Sequence, residues 1–286
     1  MVNDVTLVHM SDLHFGGLAD LRQVDVLESL VPTLGADAIV IAGDLTQRAR
    51  HGEFQRAQVF VRALQASAPT LVIPGNHDIQ WWQSPLGLRG ERAKYAKYLQ
   101  YFPDLRPVLQ IPGAMIVGAL SSYGVAPGSL TWNLRDVAVK GHLPRSETRR
   151  VTALFAHAPA GAARVLVLHH NVLAGVSSRR MGLARWRSAH RRLVATGADL
   201  VLCGHDHQEG ADMLAGRVAV STSGTHSFRT RGGRASVFNL IRIESTVIHI
   251  QHYRWDATAG NFLASDRFSF TRGNAAEPVV SATGGV

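Results

Sequence analysis

Val5-Thr-Leu-Val-His-Met-Ser-Asp-Leu-His-Phe-Gly16 is an apolar, partly β-branched run that stops abruptly at two polar side chains, Asp12 and His14. The run, Val5 to Met10, has strand composition and strand length. The same design recurs twice. Ala38 to Ala42 leads into Gly43-Asp44, and Thr70 to Pro74 leads into Gly75-Asn76-His77-Asp78. Between and after these runs lie amphipathic stretches, Leu21 to Val31, Glu53 to Ala66 and Glu91 to Phe102, whose apolar positions are spaced for one buried helical face. Strand alternating with helix predicts an α/β sandwich. In such sheets the loops beyond the strand C-termini form the binding crevice, so Asp12, His14, Asp44 and Asn76 are expected to converge.

Further along, Val108 to Ile111 and Ala114 to Leu120 are separated by Pro112-Gly113 and read as a hairpin. Ser121 to Gly141 lacks periodicity and is expected to be irregular. Ser146 to His157 reads as a helix with Ser146 capping its first turn, followed by a strand at Val165 to His169, a helix at Leu183 to Ala195 and a strand at Leu200 to Cys203. Val218 to Ser221, Ala235 to Ile243 and Thr246 to Tyr253 read as strands joined by polar turns. One domain is expected over residues 1–273, with a frayed tail at 274–286.

Composition narrows the class. The 286 residues are 46% hydrophobic, ample for a buried core. The single cysteine, Cys203, offers neither a disulfide framework nor a thiolate metal cluster and reads as a small core residue. No apolar stretch approaches the roughly 20 residues of a membrane span, and no basic segment or long apolar h-region precedes Val5; a soluble, cytoplasmic protein is expected. The formal charge of +9 favours an anionic partner. The arginines are spread along the chain, so the excess describes a solvated surface as well as it describes a binding face.

The later strands also end in imidazoles: His169 closes one, and Gly204-His205-Asp206-His207 follows another, with two imidazoles on one side of a short extended segment. Each of these short motifs, taken singly, is as compatible with a turn as with a ligand. Together they give two carboxylates, one amide and four histidines, drawn from five segments and each placed after a strand. Such hard and borderline donors suit two divalent cations and phosphate ester hydrolysis.

In this order the motifs resemble the calcineurin-like metallophosphoesterases, whose pattern is Asp-x-His, Gly-Asp, Gly-Asn-His-Asp/Glu, His and Gly-His-x-His. Asp12-Leu13-His14, Gly43-Asp44, Gly75 to Asp78, His169 and Gly204 to His207 match every element. The resemblance implies a four-layer α/β/β/α sandwich. It further implies that Asp12, His14 and His207 hold one metal, that Asn76, His169 and His205 hold the other, and that Asp44 bridges them. Mn, Fe or Zn would fit these donors. Two such cations about 3.5 to 4 Å apart lower the pKa of a water and steady the phosphoryl oxygens during in-line attack. His77 is then the general acid to the leaving oxygen, and Asp78 either supports His77 or caps its loop.

Other residues stay open between two readings. His170 adjoins His169, which the family pattern prefers; His9 lies inside the first strand and reads as a core or supporting residue. Asn171 stands where relatives commonly have proline. The loop it opens, Asn171 to Gly182, carries Arg179 and Arg180 and is either a basic flap over phosphate or an ordinary surface loop. Trp81 and Trp82 either pack between helix and sheet or contact a base or lipid. Gly224-Thr225-His226 with Arg229 and Arg231, and Ser11 to Gly16, are similar to segments of the bacterial class III cyclic-nucleotide phosphodiesterase-like branch.

The expected substrate is therefore a phosphorylated small molecule, with cyclic nucleotides or similar small diesters first. A pyrophosphate-linked lipid precursor such as a UDP-sugar lipid is the rival, and a nuclease or nucleic-acid-binding protein ranks below both, because no dense basic run with interleaved aromatics is present. No nucleic acid is required as a partner. Peripheral membrane contact and the oligomeric state are left open.

Overall fold

The computed structural model describes residues 4–83, 91–126, 128, 129, 136, 139–230 and 232–273. The tail expected over residues 274–286 and Arg231 lie outside the described residues, as does part of the stretch between Ser121 and Gly141.

Three parallel strands, β1 (Val5–Met10), β2 (Ala38–Ile41) and β3 (Thr70–Val72), are linked by the helices α1 (Leu21–Leu30) and α2 (His51–Gln65). The short α3 (Ala96–Tyr101) follows β3. A second sheet begins with the hairpin β4 (Val108–Ile111) and β5 (Ala114–Gly118) and continues through α4 (Arg145–Phe155), β6 (Ala163–His170), α5 (Trp186–Val194) and β7 (Leu200–Gly204). It is completed by β8 (Gly210–Leu214) and β9 (Val218–Thr222). The chain then returns to the first sheet with β10 (Val237–Ile243), β11 (Val247–Asp256) and β12 (Asn261–Thr271). The sheet orders are β12-β11-β10-β1-β2-β3 and β4-β5-β6-β7-β9-β8, both of mixed direction.

Side-chain alternation along β1 shows how the layers form. Val5 and Leu7 join Ala38, Val40, Ala163, Val165 and Leu200 in the core between the two sheets. Val8 and Met10 turn the other way, onto Leu27, Phe54 and Phe60 of the helices. The second sheet does the same, burying Leu166, Leu168 and Val201 against Val151, Phe155 and Leu193 of α4 and α5. Three apolar interfaces thus separate four layers, α/β/β/α, as the resemblance implied. Strands covered on both faces are apolar throughout, which is why β1 reads as a continuous run. His9, the polar exception, is buried between the sheets, with Nδ1 3.1 Å from the Ser221 hydroxyl. Cys203 is buried in the outer core of the second sheet.

Several expectations need correction. The helix expected from Glu91 to Phe102 is helical only over Ala96–Tyr101; Glu91–Tyr95 forms a tighter 3-10 turn. There the buried Lys94 ammonium donates to the Tyr123 carbonyl and the Tyr95 hydroxyl to that of Ser122, so tertiary bonds override helical spacing. Ser146 does not cap α4; Pro144 occupies that position, and its fixed φ sets the extended backbone before the first turn. The segment after Gly204 is not extended: His205 and His207 lie at φ 74° and 56°. Strands β8 and β12 escaped the sequence reading. Both are edge strands with largely exposed or half-exposed side chains, and an edge needs no apolar face on its open side.

Candidate metal centre

The loops after β1 and β2 continue side by side beyond the sheet. Asp12 N–H donates to the Gly43 carbonyl, His14 N–H to that of Asp44 and Phe15 N–H to that of Leu45. This places Asp12, His14 and Asp44 at one end of the first sheet. His169 at the end of β6 and the loop after β7 bring three imidazoles from the second sheet to meet them. The packing is close enough to require glycine. A Cβ on Gly75 would lie 2.1 Å from an Asp44 carboxylate oxygen, and one on Gly204 would lie 2.0 Å from the Ser11 hydroxyl.

Asp12, His14, Asp44 and His207 form one buried group with mutually adjacent ligand atoms; Asp44, His169 and His205 form a second. In the first group His207 Nε2 stands 3.3 Å from Asp12 Oδ1 and 3.0 Å from His14 Nε2, which is itself 3.9 Å from Asp44 Oδ2. In the second His169 Nε2 is 3.3 Å from Asp44 Oδ2, and Asn76 Oδ1 lies 3.1 Å from it and 2.9 Å from His205 Nδ1. All seven residues singled out in the sequence are therefore brought together, and Asp44 belongs to both groups.

A pair of cations fits this donor set on two observations. Imidazole nitrogens face one another at 3.0 Å (His14 with His207) and 3.3 Å (His169 with His205), where two lone pairs repel unless a proton or a metal cation lies between them. Asp12 Oδ1 is buried with no hydrogen-bond partner. Two of the four imidazoles use their other ring nitrogen as ligating histidines do: Nδ1–H of His169 donates to the Ala42 carbonyl at 2.8 Å and that of His207 to the Arg229 carbonyl at 2.6 Å. Backbone strain is concentrated here as well. Of nine non-glycine residues at positive φ among those described, five are Asp12, His14, Asp44, His205 and His207. At roughly 1–2 kcal/mol each, the fold sacrifices stability to aim these side chains.

The charges follow the same geometry. Burial alone would raise the carboxyl pKa of Asp44, but His169, His77 and His14 outweigh it and hold that carboxyl well below the usual range. Asp12 is likewise brought down to about 2, burial being overcome chiefly by His207. Burial pushes the His14 imidazole down to about 4, favouring the neutral form that a metal ligand needs. His170, beside the ligand, is not part of the cluster. Its Nε2–H donates to the Val139 carbonyl and its Nδ1 meets the Ser121 hydroxyl at 2.9 Å, so His169 is the member of the pair that faces Asp44.

His77 borders the cluster, its ring centroid 4.9 Å from that of His14. Its backbone N–H donates to Asp44 Oδ1, and its Nδ1–H donates to the Gln47 carbonyl at 2.8 Å, which turns Nε2 toward an adjoining cleft. Asp78 does not hydrogen-bond the His77 ring. Its buried carboxylate accepts from the N–H groups of Leu45, Thr46 and Gly75 and from the Thr46 hydroxyl, stitching the Asp44 loop to the Asn76 loop. Of the two readings, these bonds describe the loop cap. Burial and the neighbouring Asp44 push the Asp78 carboxyl up to about 6.

The cleft beside His77 has a volume of about 570 Å³ and is walled by Asn76, His77, Ile79, Trp81, Trp82 and Val139, with Gln47, Arg48, Arg50 and Arg229. The tryptophans thus line the cleft, and Trp82 is 52% exposed; helix-sheet packing does not account for it. Arg179 and Arg180 are exposed but absent from this wall. Their loop is pinned instead, Ser178 donating to Asp206, and Asn171 through its side-chain amide to the carbonyls of Leu173 and Arg180. The guanidinium groups at the cleft are Arg48, Arg50 and Arg229. Arg229 belongs to the segment already singled out after Gly224-Thr225-His226, whereas no periodicity marks Arg48 and Arg50, which only their nearness in sequence to Asp44 could have suggested.

Two adjoining groups of donors that could hold cations thus lie at the strand ends of a double-sheet sandwich. The profile of the calcineurin-like phosphoesterases matches residues 5–209, and the chain belongs to that family. A search of curated protein sequences returned no match. Among solved structures, a dimetal phosphatase from Danio rerio is similar with a TM-score of 0.62 at 14% identity, over 93% of this chain and 98% of that one. GAP50, the anchor in the inner membrane complex of Plasmodium, is similar with a TM-score of 0.56 at 10% identity, over 94% and 89% of the two chains. At such identities the likeness concerns the fold alone. No helix among the described residues is long and apolar enough to cross a membrane.

Proposed function

We propose that the protein is a phosphohydrolase carrying two divalent cations, Mn, Fe or Zn, and that its first substrate class is the small phosphodiesters, cyclic nucleotides among them. The observation that carries this reading is the convergence of seven donors into two groups sharing Asp44. Asp12, His14 and His207 would hold one cation, Asn76, His169 and His205 the other, and Asp44 both. The cations would supply Lewis acidity toward the phosphoryl group and a water of lowered pKa. The chain's own residues do the rest. His77, held through Nδ1 by Gln47, takes up a proton from solvent at Nε2 and gives it to the leaving oxygen. Asp78 keeps the Asp44 and Asn76 loops in register. The narrowing to cyclic nucleotides rests on the similarity of Ser11 to Gly16 and Gly224 to Arg229 to the class III branch.

A second reading has a specific observation behind it. Trp81, Trp82, Ile79 and Val139 make much of the cleft apolar, while arginines supply positive charge, a combination that also suits a nucleotide-linked lipid pyrophosphate. Fold likeness alone cannot choose between catalysis and anchoring, since function lives in the site. The test is a panel of phosphomonoesters, diesters including cyclic AMP, and a UDP-sugar lipid, assayed with Mn-, Fe- and Zn-reconstituted protein. Preferential turnover of diesters is expected; faster turnover of the lipid pyrophosphate selects the second reading, and no hydrolysis of any ester defeats both.

A further inference from the structure

The segment Ser223 to Arg229 is fastened to the metal centre at several points, and the proposed chemistry has not used it. The Thr225 hydroxyl donates to the Asp12 carbonyl at 2.8 Å and lies 2.8 Å from the Ser227 hydroxyl, which in turn accepts from Arg229 N–H at 3.2 Å. The Arg229 carbonyl accepts from Nδ1–H of His207. Arg229 is therefore referenced through its backbone to Asp12 and His207, two ligands of the same candidate cation. Its side chain lines the cleft and brings Nη1 to 3.2 Å from His77 Nε2. Since Nδ1–H of His77 is engaged by Gln47, Nε2 is the acceptor in this contact.

We propose that Arg229 seats the phosphoryl group of the substrate, exchanging His77 Nε2 for phosphoryl oxygens when the ester binds. This inference rests on the reading of the site as a phosphoester hydrolase. An arginine always carries its charge and presents a planar fork of donors, so a doubly accepting phosphoryl group outcompetes a single neutral imidazole nitrogen. The exchange has a second effect: it frees Nε2, the nitrogen on the cleft side, to take up a proton from solvent and carry it to the leaving oxygen. Arg48 and Arg50 line the same cleft, but neither is tied to a ligand loop of the second sheet or touches His77. Among the described residues, Arg229 alone joins a ligand's outward nitrogen to the cleft-facing nitrogen of His77.

The variants Arg229→Ala and Arg229→Lys separate the two roles, because every substitution keeps the backbone carbonyl that orients His207. Metal content, inorganic phosphate binding by calorimetry and hydrolysis of bis(p-nitrophenyl) phosphate are measured on metal-loaded protein, with Arg62→Ala, on the exposed side of α2, as a control for net charge. The expected result for Arg229→Ala is unchanged metal content, phosphate binding weakened about tenfold to a hundredfold, as for loss of a charge-assisted hydrogen bond, and a raised KM. Lysine restores part of the loss, and Arg62→Ala binds as the parent does. Phosphate affinity and KM equal to the parent's, weakening that tracks loss of metal, or an equal loss in Arg62→Ala would each overturn the proposal. Arg229-dependent phosphate binding in a protein that hydrolyses no ester would uphold the phosphate seat while removing the hydrolase reading.

Discussion

His77 shows how one residue's surroundings select its task. It is adjacent to Asn76 and packs against His14, yet it stays outside the seven-donor set because Gln47 captures Nδ1 and leaves Nε2 on the cleft side. An imidazole so held can pass a proton without competing for metal. His77→Ala is therefore expected to keep two metals per chain and lose about 10²- to 10⁴-fold in kcat, checked by elemental analysis and diester turnover. A leaving group that needs no protonation, such as p-nitrophenolate, should suffer least. Near-normal turnover of an alkyl ester would remove His77 from the reaction. Asp44→Asn has the opposite profile: both groups lose the shared carboxylate, so metal content itself should fall.

At the scale of elements, the ligands were legible in sequence because each follows a run whose composition marks it as a buried strand, and the strand ends fix where they go. The left-handed turns at Asp12, His14, Asp44, His205 and His207 were not legible, since side chains of ordinary L-residues adopt that backbone only under pressure from their surroundings. Nor were the edge strands β8 and β12, which have one strand neighbour each and so carry a weak pattern. Arg48 and Arg50 were hidden for a further reason: no local rule links them to Arg229 until the fold does. Glycine positions separate the two kinds of constraint. Gly75→Ala drives a methyl group into Asp44 and should cut metal affinity and thermal stability together, whereas Gly52 in α2 has nothing within 4 Å of an added Cβ. Gly52→Ala is expected to stabilise by about 0.4–1 kcal/mol, read from denaturant midpoints, with metal binding unchanged.

Across the whole molecule, the two sheets are joined by apolar packing along their faces and by polar groups at their ends. The metal centre is one such end: its ligands come from both sheets, so cations bound there should hold the layers together, and the melting temperature should rise with metal concentration and fall with chelator. A second polar join lies at the β8 edge. Glu209, just before β8, is bonded by Arg234, just before β10, and by Arg254 of β11, which also reaches Asp266 of β12. Burial alone would raise the Glu209 pKa, but the two guanidinium groups outweigh it and hold the carboxyl below its ordinary 4.5. A carboxylate with a depressed folded pKa contributes its full stability above the unfolded value and loses it as pH falls through the folded value. Metal-free protein should therefore lose stability below about pH 4.5 partly through this residue, and Glu209→Gln should lower stability at pH 7 by about 1–3 kcal/mol while flattening that acid limb. Urea midpoints measured from pH 3 to pH 7 test both parts: an acid limb as steep in the variant as in the parent would show that this join between the sheets is not what titrates.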